Sequence, residues 1–479
     1  MHVSFRVLPR LPVVAYLRDR RISKGLLAAI DLSLLLLYTA GLVSFQPYQV
    51  MAVLFSLILA ANPGEDPAFL SLATLISVVP LAPMLVLVLL ALLIFTALSP
   101  KKLHGRFGLY LLATIALTAL LTYLQYPFPA LVLPLLLIGM SPFHKWLVES
   151  YSTSPSLTIL SSFVALMYLN TYREAYGSVV PLLLLFGTAM MLVGFFKGGI
   201  CKSISEAYSV LHQMVFGLLA LLASTNGLTG LFNYLLIPCA LSLLILYHIH
   251  SYLSDAVKGQ NILDFSGLSK KLKLEAVCTF ATYVILFGLL SVGAEALMYN
   301  GMTMNIGFLP VGCVALFVSA ASLAVFFRFY TLIYEGLPRI DISSGRIQKV
   351  IVTALSAVNF AAAVIPTFSA NVLSWMNLAE PGTVLGVANL LLVVTSVGVV
   401  LSIIVARSIK TVKTEPWSTG YERIQEISKQ RGEIFTLWKE IFRPLYAIRV
   451  PDEEISRLVG KVHPAILMVT FILLTYFLR

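Results

Sequence analysis

The chain has 479 residues, of which 59% are hydrophobic and only 11% are charged, and its formal net charge is +11. A soluble domain carries roughly 25% charged residues, so this composition excludes a water-soluble globular protein of this size. The positive charge is typical of a membrane protein whose cytoplasmic loops are rich in Lys and Arg, and it requires no nucleic-acid partner.

Apolar segments follow one another along almost the whole chain. Each approaches the ~20 residues that an α-helix needs to cross a bilayer, and a helix satisfies its own backbone polar groups there. The sequence therefore predicts an all-α fold, a polytopic transmembrane helix bundle of about 14–15 spans. Residues 67–98 leave the count open, because they fit either two helices or one long tilted helix.

The predicted organisation has four parts. A basic cytoplasmic segment at 1–25 precedes a transmembrane domain at 26–406, which is followed by a charged segment at 407–462 and a final transmembrane helix at 463–479. With fifteen spans, most clusters of Lys and Arg fall on the same side as the N-terminus, as cytoplasmic loops do. We therefore expect a multi-pass protein of the cell membrane with a cytoplasmic N-terminus. No small-residue cleavage site follows the basic start, which favours a retained anchor over a signal peptide.

The segment 407–462 alternates charged and apolar residues at helical spacing. This pattern predicts an amphipathic helix that lies along the membrane surface or on a partner subunit, and both interpretations stay open. Its apolar positions are Ile427, Ile434, Leu437, Trp438, Ile441 and Phe442.

Few ionisable residues fall inside the apolar segments. Each costs about 2.5–3.5 kcal/mol at the centre of a helix on insertion scales, so such residues are candidates for an ion path. Alternatives without an ion path stay open: Asp31 can face the lipid headgroups, and Glu295 can be an acid near the outer leaflet. The candidates are Asp31, Glu206, His212, His248, His250, Glu295 and Arg328.

Other chemistry is not predicted. The four cysteines are scattered singly, and His248 and His250 are two residues apart on different helix faces, so no matched pair of metal ligands is indicated. The sequence has no Gly-rich phosphate loop, no nucleophile elbow and no HExxH motif. We expect no covalent chemistry and no cofactor in this chain.

Proline and glycine interrupt one span. Pro142 follows Pro129, Pro134 and Gly139, and a proline removes a backbone hydrogen bond and breaks a helix. Broken helices in transporters expose backbone dipoles to an ion path. The alternative is a simple kink before a cytoplasmic loop.

Four motifs then occur in a fixed order. Residues 141–147 read SPFHKWL and resemble PFHxWLPDA; residues 202–214 read KSISEAYSVLHQM and resemble DIKRLLAYSSISQMG. Residues 247–250 and 264–268 resemble NHAxFK and DxxxxGGL. Together they are similar to the antiporter-like subunits of respiratory complex I, membrane-bound hydrogenases, formate hydrogenlyases and multi-subunit cation/proton antiporters. The stretch EPWSTGY at 415–421 is similar to the WxCGY stretch of hydrogenase-type members, and the resemblance covers about residues 107–479.

The resemblance implies two inverted five-helix repeats, each with a broken helix and a central ion site, in a complex with other membrane and hydrophilic subunits. The broken-helix motif would comprise Pro142, Phe143, His144 and Trp146. The ion path would comprise Lys202, Glu206, His212, His248, His250 and Glu295, with Lys202 at its cytoplasmic mouth.

The chain departs from the family pattern mainly in its first repeat. Leu137 stands where the family has a lysine, nothing ionises between Pro155 and Tyr172, and no acid occurs between Ala68 and Leu98. Glu295 maps near the ion residue of the second repeat. The first half-channel has therefore lost its charges.

Three functions are compatible with these patterns. The first is a conducting subunit that moves protons or sodium ions, coupled to electron transfer in partner subunits. The second is a non-conducting scaffold of the same fold. The third is a stand-alone secondary transporter, which would need a polar substrate pocket at mid-membrane.

Overall fold

The computed structural model of the chain describes residues 20–40, 49–50, 53–54, 76, 83–98, 129–139, 145–153, 155–171, 180–201, 203–225, 227–256, 267–303, 308–334 and 345–364. These residues all belong to one compact unit. The predicted segments at 407–462 and 463–479, and residues 1–19 of the basic start, lie outside the described residues.

The regular elements in the described ranges are helices, with one short 3-10 turn at Leu268–Lys270. In chain order, they are α1 (Arg20–Thr39), α2 (Pro83–Leu98), α3 (Pro129–Ile138), α4 (Lys145–Thr153), α5 (Pro155–Thr171), α6 (Val180–Ile200), α7 (Ile204–Ser224), α8 (Thr229–Ala256), α9 (Lys273–Thr303), α10 (Leu309–Tyr334) and α11 (Arg346–Val364).

Helices α7 to α10 each contain a stretch long and apolar enough to cross a membrane, and shorter apolar stretches occur in α1, α5, α6 and α11. The prediction of an all-α bundle of membrane helices is therefore confirmed. The predicted total number of spans depends on residues outside the described ranges. Helix α2 begins at Pro83. This is where the second helix would begin if residues 67–98 formed two helices.

Helix α7 is the centre of the bundle. Its residues are buried over the whole length of its apolar window, and it packs against α4, α5, α6, α8 and α9. A helix that is apolar on all sides belongs in the interior of a bundle. Any polar side chain on α7 is therefore held away from lipid, which matters for His212.

Glycines allow α6 to approach α7 closely. A Cβ added to Gly194 would lie 2.9 Å from Met214 Cγ, and one added to Gly217 would lie 2.9 Å from Met191 Cγ. In a bilayer no hydrophobic effect drives helices together, so close backbone approach at small residues supplies much of their attraction. This contact fixes the rotation of α7 about its axis.

One predicted helix break is present between α3 and α4, although Pro142 itself lies outside the described residues, and another predicted break is absent. Helix α3 ends at Ile138, Gly139 has a φ of 74°, and a new helix begins at Lys145. By contrast, α9 is a continuous helix from Lys273 to Thr303, although the family resemblance implies an interruption near Glu295. The physical reason is that α9 contains no proline, so no backbone hydrogen bond is removed within it.

Candidate functional site

The last three carbonyl groups of α3 each accept a hydrogen bond from a side chain of another helix, and Leu136 O also accepts one from the Gly139 backbone nitrogen at 3.0 Å. Trp146 Nε1 on α4 donates to Leu136 O at 3.2 Å, and Ser162 Oγ on α5 donates to Leu137 O at 2.8 Å. His212 Nε2 on α7 donates to Ile138 O at 3.0 Å. We call these three donors and the three carbonyls the break cluster.

The hydrogen bonds of His212 indicate which nitrogen of the neutral ring carries the hydrogen. A carbonyl oxygen only accepts, so Nε2 of His212 carries a hydrogen. The same Nε2 lies 3.2 Å from Ser162 Oγ, whose own hydrogen is directed at Leu137 O. In the neutral ring Nδ1 is then an acceptor, and the hydroxyl of Tyr151 donates to it at 2.8 Å. The ring is fully buried.

Aromatic rings surround His212 on its other sides. Phe216, one turn further along α7, stacks on the imidazole with ring centroids 4.2 Å apart. The Tyr151 ring stacks on Tyr208 at 6.0 Å, and the Tyr208 hydroxyl donates to Leu246 O on α8 at 2.6 Å. Tyr151 and Tyr208 therefore connect His212 to α8 through a ring contact and not through a continuous chain of hydrogen bonds, and Leu246 precedes the histidine pair by two residues.

The histidine pair itself is only partly described. The His248 side chain is buried within α8, with 5% of its surface exposed. His250 belongs to the same helix, and its side chain lies outside the described part of the structure. The structure thus places His248 in the interior, whereas the position of the His250 ring stays a prediction.

Glu206 has a defined structural role. It is the third residue of α7, and its Oε2 accepts a hydrogen bond from the backbone nitrogen of Ser203 at 3.1 Å. The Ser203 hydroxyl accepts in return from the Glu206 backbone nitrogen at 3.1 Å. This reciprocal capping box satisfies two helix-end donors. Lys202, the residue before it, lies outside the described residues.

Glu295 is half-buried in α9, three residues before Met298, which lies against Gly312 of α10. One turn earlier, Ser291 accepts a hydrogen bond from Ser319 of α10 at 3.3 Å. A Cβ at Gly293 would lie 2.8 Å from Leu218 Cδ2 of α7, so the Glu295 region of α9 lies against the central helix. The described residues provide no hydrogen bond between Glu295 and His212.

Of the predicted broken-helix motif, Trp146 is described and the others are not. Trp146 is almost fully buried and donates across the break. Pro142, Phe143 and His144 lie outside the described residues. The Trp146 hydrogen bond holds the start of α4 to the end of α3, which explains why a tryptophan suits this position.

Two other interior candidates have separate positions. Arg328 of α10 donates to Gly198 O at 2.8 Å and to Cys201 O at 3.4 Å, so its guanidinium satisfies carbonyls at the C-terminal end of α6. A cation is stabilised at such an end by the helix dipole. Asp31 is fully buried in α1 rather than at a surface.

Sequence reasoning missed the uncharged members of the site. Tyr151 and Ser162 are polar but do not stand out in an apolar chain, because hydroxyl groups are common in membrane helices. It also missed Glu275, a fully buried acid in the first turn of α9. In the described part, no three His, Cys, Asp or Glu residues are grouped as a metal site would require.

Comparisons with known proteins give the class of the fold. No protein-family profile matches the chain, and no curated protein matches it. The chain is similar to a subunit in a structure of the Mrp complex from Dietzia sp. DQ12-45-1b, with 15% identity, a TM-score of 0.61 and coverage of 81% of this chain and 96% of that one.

A second similarity is to a subunit of respiratory complex I from Thermus thermophilus with bound aureothin. The identity is 19%, the TM-score is 0.56, and the match covers 75% of this chain and 93% of that one. The chain therefore is a multi-pass membrane protein that shares its fold with a subunit of each of these two complexes. The resemblance found in its motifs is confirmed at the level of the fold.

Proposed function

We propose that this chain is an ion-translocating, antiporter-like membrane subunit of a complex I-like or membrane-bound hydrogenase-like complex. Electron transfer in partner subunits would drive the ion movement. The observation that carries the proposal is His212: a fully buried imidazole placed at the break of a helix, with its two nitrogens bonded to two different segments.

The break cluster favours a proton over a sodium ion at this point of the path. A sodium ion at the break would compete with the side-chain donors that already bond to the carbonyl oxygens of Leu136, Leu137 and Ile138. A proton needs only a free lone pair on a ring nitrogen. Nδ1 of His212 offers that lone pair whenever Tyr151 turns its hydroxyl away.

The proposed step at His212 is a reversal of one hydrogen bond. A proton that arrives at Nδ1 makes the ring a cation, and Nδ1 then donates to the Tyr151 oxygen instead of accepting from it. Nε2 keeps its bond to Ile138 O throughout, so the proton enters and leaves the ring at Nδ1; the Tyr151 hydroxyl keeps its own hydrogen, which turns away when the proton arrives and returns to Nδ1 when it leaves. Imidazole is suited to such relays because its charge changes near neutral pH in water, and its surroundings tune that value.

The proposed path includes the remaining candidates. Lys202 would form the cytoplasmic mouth, and Glu206, His248, His250 and Glu295 would line the path together with His212. Glu206 combines this position with its capping role. We place the protein in the cell membrane with a cytoplasmic N-terminus, and we propose that the amphipathic segment 407–462 lies on the membrane surface or on a partner subunit.

The test replaces the second-repeat acid in the intact complex. Glu295→Gln removes the titratable group with little change in size, so we expect assembly to be retained and ion uptake into reconstituted vesicles to be lost. Uptake should be followed with a pH-sensitive and a sodium-sensitive dye. Unchanged uptake of both ions would contradict the assignment of Glu295 to the path.

A non-conducting scaffold is the alternative that one observation favours. Leu137, at the position of the family lysine, is fully buried, and all three carbonyls of the break cluster are satisfied by side chains. Under that alternative, Glu295→Gln would be silent and deletion of 407–462 would dissociate the complex. Under the proposed function, Glu295→Gln abolishes uptake while the complex stays assembled.

A further inference from the structure

Glu275 lies in the first turn of α9, immediately after the basic stretch 270–273. Its side chain is 1% exposed. Among the described residues, neither carboxylate oxygen has a hydrogen-bond donor. A buried carboxylate in this condition needs a physical explanation, because buried charges in proteins are paired or bind an ion.

The start of a helix does not provide a sufficient explanation. The dipole of α9 favours a negative charge in its first turn, but it offsets only part of the cost of removing a carboxylate from water. The two lysines nearest in sequence, Lys271 and Lys273, are exposed, so they do not share the burial of the Glu275 side chain.

The groups around Glu275 are polar but neutral. Cys278 follows Glu275 by three residues on α9, so the two lie on the same face of the helix. Thr279, one turn after Glu275 on the same face of α9, is hydrogen-bonded to the Tyr334 hydroxyl at 2.9 Å. Helices α8 and α11 also pack on α9; their titratable residues include His248 and Lys349, and neither forms a described ion pair with Glu275.

We propose that Glu275 is the binding site of a monovalent cation, either a proton or a sodium ion. One carboxylate provides one negative charge, and the hydroxyls of Thr279, one turn along α9, and of Tyr334, which is bonded to Thr279, would be its uncharged oxygen ligands. A divalent ion would require more carboxylate ligands than this region supplies. Glu275 is not part of the path proposed above, so this site can exist whether or not the chain transports ions.

The test labels buried carboxyl groups in the purified complex. Dicyclohexylcarbodiimide reacts with a protonated carboxyl group in an apolar environment, and mass spectrometry locates the adduct. Without sodium we expect labelling at Glu275, none at the hydrogen-bonded Glu206, and loss of the adduct in Glu275→Gln. Suppression by sodium chloride but not by choline chloride identifies sodium; labelling that ignores sodium and declines as the pH rises identifies the proton.

Thermal unfolding of the same two proteins provides a second measurement. If the folded state holds a cation at Glu275, sodium or a lower pH raises the Tm of the wild type more than that of Glu275→Gln. The proposal is overturned if Glu275 stays unlabelled and both proteins respond identically to sodium and to pH. This outcome leaves the proposed function intact, because that function is tested by ion uptake in Glu295→Gln.

Discussion

Nε2 of His212 donates a hydrogen bond to the carbonyl oxygen of Ile138 at 3.0 Å, although the two residues are 74 positions apart in the chain. Ile138 is the last residue of α3, so a side chain of the central helix α7 closes the end of a broken helix. This bond joins two features of the site: a gap in the backbone hydrogen bonding of one helix and an imidazole from another.

Tyr151→Phe tests whether the second bond of His212 matters for transport. The variant removes the oxygen that would accept from protonated Nδ1, so we expect a marked decrease in ion uptake, together with a loss of about 0.5–1.5 kcal/mol of stability from the missing hydrogen bond. Tyr234→Phe is the matched control, because it also removes one buried tyrosine hydrogen bond, to Ala363 O at 2.7 Å, away from the break.

The two tyrosine variants should therefore lose similar stability, and only Tyr151→Phe should impair ion uptake. Thermal unfolding and vesicle uptake of both proteins check this expectation. Equal uptake by both variants would mean that the Tyr151 hydroxyl only supports the fold.

Ser203→Ala tests the start of α7. The capping box requires the Ser203 hydroxyl as an acceptor for the Glu206 backbone nitrogen, so its removal should cost about 1 kcal/mol. Glu206→Gln should leave stability nearly unchanged, since glutamine also fits the third position of a capping box. Thermal unfolding of the two variants checks the order; a larger loss for Glu206→Gln would show that its charge, and not the cap, stabilises the fold.

Arg328 tests how α10 is attached to the end of α6. Arg328→Lys keeps the charge near the helix end but loses the planar fork that bonds to Gly198 O and Cys201 O. Arg328→Gln loses the charge as well. We expect the wild type to have the highest Tm, Arg328→Lys a lower one and Arg328→Gln the lowest. Each hydrogen bond lost from the charged guanidinium should lower the free energy of unfolding by about 1.5–3 kcal/mol. Equal Tm values for the two variants would contradict a contribution from charge.

Gly312→Ala tests the close contact of α9 and α10. The added Cβ would lie 2.5 Å from Met298 Cα, a backbone atom that cannot turn aside, so the two helices must separate. Gly293→Ala is the control, because its nearest neighbour is the side-chain end of Leu218 at 2.8 Å. Overpacking costs about 1–3 kcal/mol, and we expect the higher value for Gly312→Ala in thermal unfolding.

The sequence predicts the membrane bundle and the break in α3 because both depend on local properties: long apolar runs, prolines and Gly139. The contacts of His212 are not local, since Tyr151, Ser162 and Ile138 meet it only after α4, α5 and α7 have packed. The prediction of a break in α9 was wrong for a different reason. The family resemblance implied a break there, whereas this chain lacks the proline that would cause one.

Acidic residues at similar positions in the sequence have different environments in the structure. Glu206 and Glu275 both occupy first turns of helices, yet one bonds to a backbone nitrogen and the other is enclosed without a described donor. Charge patterns reveal which residues are ionisable, but the packing of α10 and Tyr334 against α9 determines which of them are buried.

The number of protons moved per electron transferred, compared between wild type and His212→Gln in the intact reconstituted complex, tests the central proposal most directly. Glutamine retains an N–H donor for Ile138 O but cannot accept and release a proton as imidazole does. We expect electron transfer to continue in the variant with fewer protons moved per electron. An unchanged ratio in a fully assembled variant would contradict a role for His212 in proton transfer.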